Sequence, residues 1–215
     1  LMVDTAAPAA PTGVTVTDDV APVTGAIAAN GASNDNKPTF AGAAGSAEAG
    51  STITVMDGAT VLGTAVVAAN GSWSATPTTA LADGAHSITT RATDAAGNVS
   101  PVSPALALTV DTAAPAAPAA PTSTAPSTND NTPGIHIGVG LTDTPSLYVD
   151  GVKVPATYDP VTGTLTPTTP LGDGVHQFTT TLTDAAGNES PQSAALPLTV
   201  DTAAPAAPAA PTSTA

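Results

Sequence analysis

One nonapeptide, Val-Asp-Thr-Ala-Ala-Pro-Ala-Ala-Pro, occurs three times in this chain, at residues 3–11, 110–118 and 200–208. The same landmarks recur in order between the copies. Asn34-Asp35-Asn36-Lys37-Pro38 matches Asn129-Asp130-Asn131-Thr132-Pro133, and Asp57-Gly58 matches Asp150-Gly151. Leu81-Ala82-Asp83-Gly84-Ala85-His86 matches Leu171-Gly172-Asp173-Gly174-Val175-His176. Thr93-Asp94-Ala95-Ala96-Gly97-Asn98 returns letter for letter at residues 183–188. A shared order of this kind requires tandem copies of one fold. The repeats divide as residues 1–111 and 112–201, with 202–215 as a linker and the start of a next repeat. The first repeat carries extra residues before Asn34, and such insertions fall in loops. The opening Leu1-Met2 and the third linker cut at Ala215 point to a piece of a longer protein.

The segments between landmarks are short and rich in Val, Thr, Ile and Leu. Ser51-Thr52-Ile53-Thr54-Val55-Met56 alternates with period two, and Gly, Asp, Asn and Pro punctuate the chain at short intervals. No window shows a helical stripe of large apolar residues. The pattern predicts an all-β chain of tandem immunoglobulin-like antiparallel β-sandwiches, about seven strands each. In the first repeat the expected strands are 13–17, 39–44, 51–56, 61–68, 72–76, 86–93 and 105–110. Aromatics are 2% of residues, so the cores must be small and built from Val, Leu, Ile and Ala. Trp73 is expected in a core or at a sandwich edge, with its aligned position in the second repeat near Leu165.

Charge narrows the functions. Only Lys37, Arg91 and Lys153 are basic, and the net charge is -14. Nucleic acid and anionic membrane surfaces require clustered Lys and Arg, so both are disfavoured. No cysteine is present, which excludes disulfides, and no apolar run is long enough for a membrane helix. No signal peptide is visible. The acids are fifteen Asp and two Glu, a bias toward turns and oxygen-rich cation sites.

Consecutive strands of a sandwich run in opposite directions, so alternate loops share a pole. That places the Asn-Asp-Asn turn, the Asp-Gly-His turn and Asp111 at one end of the first repeat. The Thr-Asp-Ala-Ala-Gly-Asn loop and Glu48 fall at the other end. Asp184 and Asn188 should then face Asp35 and Asp111; Asp94 and Asn98 should face Asp4; Asp130 should face Asp201. Gathered carboxylates repel unless a cation lies between them, and Ca²⁺ accepts six to eight such oxygens. Zinc would want His or Cys. Other roles compete for these side chains. Asp57 and Asp150 are hairpin residues, Asp83 and Asp173 suit turns, and His86 and His176 suit strand edges packed on a turn. For Asp94 and Asp184 a self-bonded turn stands level with metal ligation. No phosphate-cradling loop or nucleophile elbow occurs, so no enzyme is expected.

The linker, the Asn-Asp-Asn-x-Pro and Leu-x-Asp-Gly-x-His turns and Thr-Asp-Ala-Ala-Gly-Asn together resemble the bacterial Ig-like repeats of giant type I-secreted, RTX-type surface adhesins, the long Salmonella adhesin among them. Asp18-Asp19-Val20 and Thr24-Gly25-Ala26-Ile27 look like the longer form of such repeats. The resemblance implies an extended rod stiffened by calcium, projecting a distal adhesive domain from the bacterial cell surface. Neighbouring repeats of the same chain would be its partners, in adhesion or biofilm formation, and this stretch would itself be monomeric. It carries Ca²⁺ ligation to Asp4, Asp18, Asp19, Asp35, Asp94, Asn98, Asp111, Asp130, Asp184, Asn188 and Asp201. Two other classes stay open: an Ig-like module that itself binds a glycan or receptor, and an ancillary module of a secreted hydrolase.

Overall fold

The computed structural model describes residues 3–208. Leu1-Met2 and the end of the third linker from residue 209 lie outside the described residues. Every regular element among those described is a β-strand, and no helix there is long and apolar enough to cross a membrane. The chain divides between Ala114 and Pro115 into two compact units, and the first also takes in the loop Asp184–Glu189.

Unit 1 is a two-sheet sandwich. One sheet runs β2 (Gly25–Ala26), β1 (Val14–Asp18), β4 (Thr39–Gly42), β7 (Trp73–Ala75). The other runs β3 (Ala32–Ser33), β9 (Leu106–Val110), β8 (Gly84–Thr93), β5 (Thr52–Asp57), β6 (Thr60–Val66). All seven expected strands form, within a few residues of their expected ends. Two further strands, β2 and β3, are only two residues long, and a periodic signal cannot register them. Side chains of alternate residues point to one face, so Val16, Phe40, Trp73 and Ala75 of the first sheet meet Ile53, Val55, Leu62, Ile88, Leu108 and Val110 of the second. Trp73 is a core residue.

Unit 2 is a reduced copy. Its larger sheet runs β10 (Ser127–Thr128), β17 (Leu196–Val200), β16 (Gly174–Thr183), β12 (Thr144–Val149), β13 (Val152–Val154). The smaller runs β11 (Ile135–His136), β15 (Thr164–Pro167), β14 (Ala156–Asp159). In place of β1 there is a single bridge, Thr122 to His136. The core is Ile135, Leu147, Val149, Leu165, Phe178 and Leu198.

Register refines the alignment near Leu165, where Trp73 has no aromatic counterpart. Phe40 lies opposite Ala75 in unit 1, and its equivalent Ile135 lies opposite Leu165 in unit 2. Leu165 therefore replaces Ala75. Two residues away, Gly42 pairs with Trp73, while Ile137 donates its amide to Gly163. The indole needs the glycine, because a Cβ on Gly42 would collide with Trp73 Nε1 and Ser46 Oγ.

Serines close the return to the last strand. Ser103 Oγ accepts the Thr90 amide at 3.0 Å and donates to the Pro104 carbonyl at 2.9 Å. Ser100 Oγ does the same for Ala92 and Pro101, and Ser190 and Ser193 repeat the device in unit 2. Thr90 and Ser103 are buried, so a backbone donor here needs a partner.

Gly42→Ala should destabilise unit 1 by about 1–3 kcal/mol through overpacking. Ser103→Ala strands the buried Thr90 amide and should cost about 1–3 kcal/mol. Calorimetric melts of each variant should show the unit 1 transition falling, with unit 2 unmoved.

Candidate functional site

The repeated polar residues cluster on the turns and on the linkers, and most of their contacts are to main chain. In the Thr-Asp-Ala-Ala-Gly-Asn loop, Asp94 Oδ1 accepts the amides of Ala96 (2.9 Å) and Asn98 (2.8 Å), and its Oδ2 accepts Asn98 Nδ2 at 2.8 Å. The Asn98 side chain leads the hydrogen bonds that hold the Asp94 carboxyl below its ordinary range. Asn98 Nδ2 also donates to the Asp4 carbonyl at 3.2 Å, which brings the loop onto the entry linker as the topology required. The copy of this loop that unit 1 takes in repeats the set. Asp184 accepts Ala186 N, Asn188 N and Asn188 Nδ2, each at 2.9 Å. Asn188 Nδ2 donates to the Asp111 carbonyl at 2.8 Å.

The linker aspartates close short turns of their own. Asp4, Asp111 and Asp201 each accept an amide two residues ahead, from Ala6, Ala113 and Ala203, all at 3.0 Å. The threonine that follows is caught by the Asp-Gly-His turn. Asp83 Oδ1 accepts Thr112 N and Thr112 Oγ1, both at 3.0 Å. In unit 2 Asp173 Oδ1 accepts Thr202 N at 2.9 Å and Thr202 Oγ1 at 2.8 Å. The backbone bond from Thr202, then its hydroxyl, holds the Asp173 carboxyl below its ordinary range.

Three candidate ligands meet in unit 1. Ser33 Oγ donates to Asp18 Oδ2 at 2.6 Å and accepts the Asp35 amide at 3.1 Å. Asp35 Oδ1 accepts Lys37 N at 2.8 Å, and its Oδ2 accepts Asp19 N at 3.4 Å. Asp18 and Asp35 are buried. Burial first, and then the Asp19 and Asp18 charges, push the Asp35 carboxyl up despite the amides that favour its ionised form. Hard oxygens crowded at a dry place have the donor chemistry of a calcium site. Their oxygens do not converge on one point: among the described residues no three His, Cys, Asp or Glu side chains could together hold an ion.

Unit 2 lacks the segment that carries Asp18 and Asp19. Asp130 is exposed there and accepts Thr132 N at 2.8 Å. It lines an open groove of 610 Å³ with Asp201, Ser127, Thr128 and Thr199.

Sequence reasoning passed over two side chains. His86 and His176, assigned to packing, each bridge an aspartate and a backbone carbonyl: His86 joins Asp57 (2.7 Å) to the Ala82 carbonyl (2.8 Å), and His176 joins Asp150 (2.8 Å) to the Gly172 carbonyl (3.0 Å). The signal was present in the Asp-Gly and Asp-Gly-His landmarks, which recur together.

No curated protein matches the sequence significantly. Among solved structures the chain is similar to the fibronectin(III)-like modules of CbhA from Clostridium thermocellum, with 16% identity and a TM-score of 0.52 over 86% of this chain and 93% of that one. A bacterial ice-binding adhesin is 21% identical with a TM-score of 0.37, over 78% of this chain and 58% of that one. A tetra-tandem repeat in the extending region of a large adhesion protein is 21% identical with a TM-score of 0.29, over 91% and 50%. The first likeness shows the sandwich fold, and the chain spans about half of the other two. The model of the bacterial Ig-like domain matches twice, over residues 10–112 and 120–202. This chain belongs to the bacterial Ig-like domain family, a non-catalytic domain type.

Proposed function

We propose that this chain is a spacer segment of a bacterial cell-surface adhesin, exported by a type I route and built to hold a distal adhesive domain away from the cell. The observation that carries this reading is where the repeated polar residues act. Asp83 and Asp173 grip the threonine of each exit linker, and Asn98 grips the carbonyl of the entry linker. These recurring side chains serve the joints. Serial connection is what such joints are for, and cell adhesion or biofilm formation is the setting that uses it.

The direct-binding alternative loses its main support in the core. The one indole, Trp73, is buried and unavailable as a platform for a sugar. The groove beside Asp130 is lined mostly by Ser, Thr, Asn and Asp, with Ala125, Pro133, Gly134 and Leu198, and has no aromatic ring.

Calcium enters this reading as a stiffener of unit 1. Asp18 and Asp35 supply the donors with Asp19 beside them, and binding an ion requires the Asp18 and Asp35 carboxylates to leave the amides and the hydroxyl they now bond. Burial, and after it the Asp19 and Asp18 charges, raises the Asp35 pKa, and a nearby divalent cation favours the ionised form. With free calcium at ~100 times the dissociation constant, one ion contributes about 2.7 kcal/mol. The melting temperature should rise in millimolar calcium relative to chelator, and Asp18→Ala with Asp35→Ala should abolish the rise. Identical melts would remove calcium from the proposal and leave the spacer intact.

The spacer reading is tested by small-angle scattering of the full chain. A maximum dimension larger than that of a single repeat is expected in calcium and in chelator alike. A profile in which the two repeats collapse on each other under both conditions would overturn it.

A further inference from the structure

His86 sits between two oxygens that can only accept. Asp57 Oδ2 lies 2.7 Å from Nδ1, and the Ala82 carbonyl lies 2.8 Å from Nε2. A neutral imidazole has one N–H, so it would satisfy one oxygen and aim a lone pair at the other. Both bonds form together only in the imidazolium. Asp57 is fixed in its turn, because its Oδ1 accepts the Ser87 amide at 3.0 Å. The carbonyl belongs to Ala82, directly before Asp83, whose carboxylate holds Thr112 through its amide and hydroxyl. One line of contacts therefore runs from the β5–β6 hairpin through the ring to the turn, and from the turn to the exit linker.

Unit 2 builds the same line from its own residues. Asp150 Oδ1 accepts Gln177 N at 2.8 Å, and its Oδ2 lies 2.8 Å from His176 Nδ1. His176 Nε2 lies 3.0 Å from the Gly172 carbonyl, and Asp173 holds Thr202. The hairpins differ in their register of pairing, and the residues between the landmarks differ too. The bridge is nevertheless repeated atom for atom.

We propose that His86 and His176 are resident imidazolium ions that latch each repeat's exit linker through the Asp-Gly-His turn, and that the latch opens when the ring loses its second proton. The proposal needs only the fold of each unit, and no cation takes part in it.

The groups around each ring agree with this. Asp57 faces His86 from the β5–β6 hairpin, β9 presents Leu108, and on the ring's own turn Asp83 is directed to Thr112. Asp150 faces His176, β17 presents Leu198, and Asp173 is directed to Thr202. Burial alone would lower the His86 pKa, but the Asp57 hydrogen bond, the Ala82 carbonyl and the Asp57 charge outweigh it and raise it above the ordinary value. For His176 the Asp150 hydrogen bond leads, with the Gly172 carbonyl, and the pKa is again raised. A folded-state pKa above the unfolded one gives stability that is complete below the ordinary histidine pKa and is lost as pH rises through the raised value. The latch is therefore closed below the ordinary histidine pKa and opens as pH rises through the raised one.

Long-range ¹H–¹⁵N spectra of the full chain in chelator read the ring state directly. Both nitrogens of His86 and His176 should still be protonated at the pH where the free peptide Leu-Ala-Asp-Gly-Ala-His is half-titrated, with titration midpoints above that of the peptide. Amide exchange at Thr112 and Thr202, corrected for intrinsic base catalysis, should step up as pH rises through the raised midpoint of the adjoining ring. In His86→Gln the step at Thr112 should vanish while that at Thr202 remains. If that variant fails to fold, the wild-type titration decides alone. Rings that titrate at the peptide's midpoint, or linker amides indifferent to ring titration, would overturn the proposal.

Discussion

An aspartate carboxylate that accepts a main-chain amide two residues ahead is the contact on which these repeats are built. Asp4, Asp18, Asp35, Asp94, Asp111, Asp130, Asp159, Asp184 and Asp201 all make it. The bond closes a turn from within its own sequence, so it needs no large core to support it. That matters in a chain with few aromatics and no cysteine, where neither buried rings nor disulfides can fix the loops. It also explains why Asp outnumbers Glu so heavily. One added methylene carries the carboxylate past the amide it must reach.

The dependence runs outward from these turns. The strands end where the carboxylates close the chain, and the loops then present a second set of acceptors and donors to the linkers. Asp83 and Asn98 act on main chain that is far away in sequence. In unit 1 the inserted segment bearing Asp18 and Asp19 is laid over Ser33 and Asp35. In unit 2 the equivalent face is left as the groove beside Asp130. The same turn is thus dry and crowded in one repeat and open in the other.

Strands and turns were legible because each leaves a local pattern. Thr52–Asp57 alternates and is buried on alternate residues, and Leu106–Val110 does the same. The two-residue strands β2, β3, β10 and β11 carry no period and were invisible. The serine acceptors were hidden for another reason: Ser103 looks like a loop residue until β8 brings the Thr90 amide to it. The site was legible by type alone. Sequence showed which oxygens and imidazoles recur, and topology put Asn98 beside the Asp4 linker. It could not show that the carboxylates of Asp18 and Asp35 bond nearby amides and a hydroxyl instead of converging with Asp19 on one point. Nor could it pair His86 with Asp57, since that contact depends on how β5 and β8 align.

Neighbouring copies of one fold in a single chain risk exchanging strands during folding, the characteristic failure of repeat proteins. The facing core positions guard against it. Unit 1 sets Phe40 against Ala75 and Gly42 against Trp73, whereas unit 2 sets Ile135 against Leu165 and Ile137 beside Gly163. A hybrid with β4 on β15 would crowd Phe40 against Leu165. The reverse hybrid, β11 on β7, would leave a void between Ile135 and Ala75 and drive Ile137 into the Trp73 indole. Each unit therefore recognises its own strands by the order in which large and small residues meet. Two repeats with near-identical turns stay distinct where they are buried.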